Sequence, residues 1–223
     1  MSAAEPAPDT LAFLARERAR VDAALERILA RLTGPAAVVE PARHGVRAGG
    51  KRIRPVLCIA ACRAAGGARP EAALVELACT LELVHTYSLL HDDLPCMDDA
   101  ELRRGRPATH RVHGAAATTL AGAALLSHAF RTLEHAGRTL GLEPEERAAL
   151  AATLAAAAGA GGLVGGQFLD LEAEGERLEL PAIEEIHARK TGALLTAAAR
   201  MGALAARAPA PVADALTAYG RSL

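Results

Sequence analysis

The sequence predicts an all-α helical bundle, and three observations carry that expectation. About a quarter of the 223 residues are Ala, only five are aromatic (no Trp, two Tyr, three Phe), and apolar residues recur at helical rather than alternating spacing. Ala and Leu favour the helix, whereas the β-branched and aromatic side chains that fill strands are scarce. The length suits one domain with a sizeable core, and no internal repeat or low-complexity linker divides it. Lys and Arg number 25 against 26 Asp and Glu, a net charge of −1. No global field therefore recruits nucleic acid or an anionic membrane surface, and any polyanion must meet a local cationic cluster.

Taken in order, the stretch before Gly34 places Leu14, Val21, Leu25, Ile28, Leu29 and Leu32 at helical spacing, which predicts a packing or dimer helix. Gly49 and Gly50 then break the chain. Lys51, Arg52 and Arg54 follow, and Pro55 opens an apolar helix at a position that tolerates proline, so this helix starts beneath a cationic group. The helical pattern resumes over 71–93 and stops at Pro95, which excludes the α conformation just before it. Ala-rich helices are expected over 114–136, 143–166 and 181–206. A last one begins over 212–223, after Pro209 and Pro211.

The uncharged run 148–166, mostly Ala and Gly, is expected to pack against other helices and not to span a bilayer. The four Cys (58, 62, 79 and 96) form no CxxC pair, and the first fourteen residues carry Glu5 and Asp9 where a signal peptide carries Lys or Arg. A reduced, cytoplasmic chain is expected.

The chemistry concentrates after the third predicted helix. Four of the eight Asp (92, 93, 98 and 99) fall within eight consecutive positions. Carboxylates so crowded repel one another, and form either a solvated acidic tip or a site for a hard divalent cation. Mg²⁺ takes oxygen ligands, often one or two carboxylates completed by substrate phosphate oxygens. Arg103, Arg104 and Arg106 follow at once. A solvated tip has no use for them, whereas arginines and a metal ion can grip one diphosphate together.

The Lys51, Arg52 and Arg54 group at a helix N-terminus is a second candidate anion site, and two anion sites suggest two phosphorylated substrates. Leu81, His85, Ser88 and Asp92, at spacings of four, three and four, share one helix face, so His85 is expected in the same groove as Asp92. A satisfied core histidine is the competing reading.

At these residues the chain resembles the trans-polyprenyl diphosphate synthase family, and within it the bacterial farnesyl diphosphate synthases. The matching stretches are GGKRIRP (49–55), LELVHTYSLLHDDLPCMDDAELRRGRPATH (81–110), GGQFLDL (165–171) and HARKTGALL (187–195). The resemblance implies an isoprenoid synthase-type helical bundle around a central cavity, usually dimeric. It further implies Mg²⁺-dependent, head-to-tail transfer of a dimethylallyl or geranyl group to isopentenyl diphosphate, giving farnesyl diphosphate; geranyl and geranylgeranyl diphosphate are alternative products.

By position, Asp92 and Asp98 would hold Mg²⁺ against the allylic diphosphate, with Asp93 in support and Arg103 on that same diphosphate. Lys51, Arg54, His85 and Arg104 would hold isopentenyl diphosphate. Lys190 and Thr191 would bind the allylic diphosphate and face its breaking C–O bond, with Gln167 and Asp170 opposite.

Such a reaction separates an allylic carbocation from a highly charged leaving group, so the catalyst must neutralise that charge with groups fixed beforehand and exclude water. Gly192, inside a helical pattern, is read as permitting a kink that turns carbonyls toward the cation, or else as a close helix contact. Tyr87 and Ser88 lie five and four residues before Asp92, about 7.5 and 6 Å along the axis. Either could floor the pocket and set product length, with ordinary core filling as the competing reading for Tyr87.

The family's second aspartate-rich motif, D-D-x-x-D after Phe-Gln, has no counterpart here, since after Asp170 the only Asp is Asp214. The expectation is a single polyprenyl synthase domain over 1–223 lacking roughly its C-terminal quarter, with activity impaired. Three other readings compete. A non-catalytic prenyl synthase-like subunit would bind diphosphate without turnover. A phosphohydrolase built on His91 and Asp92 would need a second His/Asp pair. A class I terpene cyclase would want an aromatic-lined cavity.

Overall fold

The computed structural model describes residues 8–67 and 71–223. Glu5, read above as arguing against a leader, lies outside them. The described chain runs α1 (Pro8–Ala30), α2 (Ala36–Arg47), α3 (Ile53–Ala64), α4 (Glu71–Asp92), a two-stranded hairpin β1 (Leu102–Arg103) and β2 (Arg106–Pro107), then α5 (Thr109–His113), α6 (Ala115–Thr139), α7 (Pro144–Ala158), α8 (Leu163–Glu172), α9 (Leu180–His187), a π-helical turn (Ala188–Gly192), α10 (Ala193–Ala205) and α11 (Ala210–Arg221).

The expected all-α bundle is what forms, and α4 is its axis. This helix is apolar on nearly every side, and a helix of that kind must be surrounded. It is flanked by α1, α2, α3, α6 and α10, with Leu77, Leu81 and Leu83 fully buried. The N-terminal helix packs on α4 through Val21, Leu25, Ile28 and Leu29, all buried, while Leu14 is only partly covered.

Besides the hairpin and α5, which no expectation covered, three elements depart from the expected plan. Helix α2 was not predicted, because Pro41 and Gly45 inside it weaken its local propensity; burial of Val39, Pro41, Ala42 and Val46 against the core overrides that weakness. The helix expected over 143–166 divides into α7 and α8 at the glycine-rich turn 159–162. The one expected over 181–206 is interrupted by the π-turn.

Two helical stretches are long and apolar enough to cross a membrane. Glu71–Asp92 is the core helix, its apolar window 83% buried. Pro144–Glu172, whose window is 33% buried, is apolar enough by length and composition alone, although the turn 159–162 divides it into α7 and α8. The uncharged run in fact extends through Phe168 and Leu169, and Ala counts as mildly apolar at each of its many positions.

Candidate functional site

The acidic cluster sits where α4 ends. Pro95 prevents a further turn, and the chain folds back on itself: the Leu94 N–H donates to the His91 carbonyl (3.1 Å), the Asp98 N–H to the Asp92 carbonyl (2.9 Å) and the Asp99 N–H to the Leu94 carbonyl (3.1 Å). This closure sets Asp98 beside Asp92. The four carboxylates then divide. Asp93 is buried and taken by Arg103, whose Nε lies 3.0 and 3.1 Å from its two oxygens. Asp99 turns outward to Arg111, at 3.0 Å.

Of the remaining two, Asp92 is partly buried and Asp98 is exposed. Burial raises the Asp92 carboxyl to about 6; Lys190 and Arg103 oppose the rise, and Asp98 and Asp93 add to it. That donor set fits Mg²⁺: hard oxygens, with negative charge in excess of local cations. Among the described residues no three Asp, Glu, His or Cys converge as a complete cage, which suits an ion that draws its other ligands from substrate phosphate.

Across from Asp92 stands Lys190, on the π-turn and ion-paired to Asp170 of α8. A Cβ added at Gly166 would lie 2.3 Å from the Lys190 nitrogen, so α8 and the π-turn are in backbone contact there. A Cβ at Gly192 would meet only the His187 carbonyl, at 3.7 Å; the close-contact reading of Gly192 therefore fails. The expected distortion is present, in π-helical form, and such turns commonly open backbone groups at functional sites. Thr191 is exposed. Gln167 is buried, with neither amide atom hydrogen-bonded.

Lys51, Arg54, His85 and Arg104 come together around a cavity of about 470 Å³. Arg52, read above as part of the same cationic group, lines it but is structural. Its backbone turns left-handed (φ +54°), and its buried guanidinium donates to Glu82 (2.7 Å), Asp22 (2.9 Å) and the Val46 carbonyl (2.9 Å). Arg54 has a buried Nε without a partner, and burial lowers its pKa, with repulsion from Arg104 adding. Burial likewise lowers that of Arg104.

The same surroundings drive His85 down to about 3, through burial first and then Arg54 and Arg104, so it offers this cavity a neutral imidazole. His85 therefore belongs with the arginines and not with Asp92, whose carboxylate is two turns away and absent from the cavity lining. Arg106 is exposed on β2.

The hairpin explains how neighbouring arginines serve two sites. Arg104 (φ +54°) and Gly105 (φ +75°) form its two-residue turn, the geometry expected of a type I′ hairpin. Arg103 on β1 points to Asp93, and Arg104 points to the cationic cavity. There its guanidinium lies over Gly50, where an added Cβ would be 2.5 Å from Nη1. Spacing alone gives no sign of the contacts of Arg111 and His110 with Asp99, since a five-residue helix such as α5 has no readable periodicity.

Tyr87 is partly buried and packs edge-on against His91, ring centroids 5.0 Å apart. Ser88 is buried, with its hydroxyl donated to the His85 carbonyl (3.0 Å). A larger groove, about 850 Å³, lies between α7, α10 and α11 and borders the π-turn at Ala188 and Gly192. It is lined mainly by Ala, Gly and Thr with Arg200 and Arg221, and holds no carboxylate. The chemistry argues for the smaller cavity.

Paired carboxylates facing a lysine, beside an arginine-lined cavity in a helical shell, are an arrangement that can hold phosphorylated anions together with a divalent cation. The chain belongs to the polyprenyl synthetase family, whose description matches residues 35–223. It is 43% identical to a farnesyl diphosphate synthase of Geobacillus stearothermophilus over 192 residues, 86% of this chain and 64% of that one. It is 42% identical to geranylgeranyl pyrophosphate synthase 9, chloroplastic, of Arabidopsis thaliana over 214 residues, 95% of this chain and 58% of that one. The chain thus spans less than two thirds of these relatives' length. An FPP/GFPP synthase from Zymomonas mobilis superposes with a TM-score of 0.85 at 36% identity, covering 93% of this chain and 76% of that one.

Proposed function

We propose that this chain carries the substrate-binding half-sites of a Mg²⁺-dependent prenyltransferase that joins isopentenyl diphosphate head-to-tail to dimethylallyl or geranyl diphosphate, with farnesyl diphosphate as product. One observation supports this above the others: adjacent arginines on one hairpin serve two different anion sites, Arg103 at the acidic loop and Arg104 at the cationic cavity. Asp92 and Asp98 would hold Mg²⁺, which supplies neutralisation of the departing diphosphate.

Arg103, oriented by Asp93, and Lys190, oriented by Asp170, flank that diphosphate. Lys190 and Thr191 lie on the turn that faces the breaking C–O bond. Lys51, Arg54 and Arg104 fix the second diphosphate as charges, and His85 as a neutral hydrogen-bonding group. As the allylic C–O bond breaks, a C–C bond forms to isopentenyl diphosphate and a proton is lost from it. The released diphosphate takes that proton; Glu82, a carboxylate lining the cationic cavity, is committed to Arg52.

A self-associating surface is supported by exposed apolar residues on the neighbouring helices α5 and α6, where Val112 and Leu120 are 52% and 57% exposed and Ala116 and Ala123 are exposed as well. A homodimer through this face is part of the proposal. The test is the purified chain with Mg²⁺, isopentenyl diphosphate and geranyl diphosphate. Diphosphate release that disappears in Asp92→Ala is the expected result. Tight diphosphate binding without turnover would favour a non-catalytic subunit, a reading the chain's short span relative to its relatives keeps in play.

A further inference from the structure

Asp99 is not one of the acids assigned above, yet its surroundings are built. Its backbone is left-handed (φ +44°), an uncommon conformation for a residue other than glycine, which persists where neighbours over-determine it. Two residues of α5 meet it. Arg111 Nη2 donates to Asp99 Oδ1 at 3.0 Å and approaches its carbonyl at 3.4 Å. His110 Nε2 lies 3.7 Å from the same Oδ1.

His110 is unusual on its own account. Its side chain is 3% exposed, and neither ring nitrogen has a hydrogen-bond partner. An unpaired polar group costs stability when buried, so a residue kept in that state is expected to gain its partner in another condition of the site. Among the described residues, the carboxylate paired with it is Asp99, on the loop that carries Asp98. A closing movement of less than about 1 Å brings Asp99 into ordinary hydrogen-bond range of His110.

From these contacts we infer that Asp99 is a positioning residue. Held from α5 by Arg111, with His110 3.7 Å away, it fixes the far end of the acidic loop so that Asp98 stands opposite Asp92. The inference rests on the reading of Asp92 and Asp98 as cation ligands. The mechanical link is short: Asp98 is the next residue, and its N–H already bonds the Asp92 carbonyl. Freed from α5, Asp99 no longer opposes rotation of the Asp98 backbone, and the two ligands separate. α5 is itself anchored to the loop base, because the Ala108 N–H donates to the Glu101 carbonyl (2.9 Å).

The test uses the full chain with Mn²⁺ and inorganic diphosphate, free Mn²⁺ being read by its EPR signal, with thermal melting alongside. Asp99→Asn removes the charge but keeps a residue that tolerates positive φ, and His110→Leu replaces the unpaired imidazole with an apolar group of similar size. Both are expected to weaken Mn²⁺ uptake about threefold to tenfold. Asp99→Asn should melt within a few degrees of the parent, and His110→Leu at or above it, since removing an unsatisfied buried polar group does not destabilise. A merely structural His110 would lower the melting temperature and leave uptake alone.

Asp98→Ala is the control. If it weakens uptake and the two α5-contact variants do not, the positioning role is overturned and the cation site stands. If the parent chain takes up no Mn²⁺, or Asp98→Ala takes up as much as the parent, the cation site and the positioning role fall together.

Discussion

Arg52→Ala and Lys51→Ala should behave as opposites, although the residues are adjacent and both line the cationic cavity. Arg52 is 4% exposed and its partner Glu82 3%, with Nη1 to Oε1 at 2.7 Å; Asp22 and the Val46 carbonyl take its other donors. Burial works against the Arg52 charge, yet Glu82 and Asp22 more than offset it and hold its pKa above the ordinary value. Removing the guanidinium strands Glu82 as an unpaired charge in the middle of α4. Breaking one side of such a buried pair costs about 3–5 kcal/mol. For a chain of this size, about 2–4 °C per kcal/mol puts the melting temperature roughly 6–20 °C lower.

Lys51 is exposed, and its loss should change stability by less than about 0.5 kcal/mol. It should instead raise the concentration of isopentenyl diphosphate needed for half-saturation. Melting followed by circular dichroism, paired with isothermal titration of isopentenyl diphosphate, separates the two. An Arg52→Ala protein that melts within about 2 °C of the parent would refute the structural assignment of Arg52.

Three further outcomes follow from the same geometry. His85, driven to about 3 from an ordinary 6.5, stays neutral when folded but takes a proton when unfolded. The unfolded state therefore binds more protons between those values, and stability falls as pH drops from about 6.5 toward 3. His85→Gln should flatten that part of the melting profile, and an NMR titration midpoint for His85 near 6.5 would contradict it. Gly50→Ala forces a Cβ within 2.5 Å of Arg104 Nη1 at a backbone φ of +141°, and should weaken isopentenyl diphosphate binding about tenfold or more by calorimetry. Tyr87→Ala should lengthen the product read by gas chromatography of the dephosphorylated alcohols; an unchanged C15 product sinks its role as floor.

The bundle and the acidic corner were legible because they rest on signals that one dimension carries. Helical periodicity marks α1, α4 and α6, Pro95 marks the stop, and four Asp among eight residues mark the loop. Which of several adjacent charges turns inward is not such a signal. Lys51, Arg52 and Arg54 read alike until the left-handed turn at Arg52 sends its side chain to Glu82 and Asp22 and leaves the others at the cavity. Helix α2 contradicts its own local sequence because long-range burial outweighs Pro41 and Gly45. Gly192 was a visible irregularity, but whether it would kink, bulge or admit a neighbour depended on what packs beside it. The structure leaves open space there.

The division of the four aspartates follows from charge balance. Arg103 is the nearest arginine to the acidic loop, and a guanidinium placed on Asp92 would cancel the negative charge that a divalent cation needs. Asp93 prevents this. Buried and held bidentate by Arg103, it satisfies the arginine within the protein while leaving that side chain 32% exposed. Asp99 is drawn off by Arg111 in the same way. Lys190, the other cation facing Asp92, is restrained by Asp170. Arg103, Arg111 and Lys190 are thus each ion-paired to an acid other than Asp92 or Asp98, so that Arg103 and Lys190 act on Asp92 through space without occupying it. On this logic Asp93→Asn should be worse for cation binding than the loss of one non-ligating carboxylate suggests, because it releases Arg103 toward Asp92.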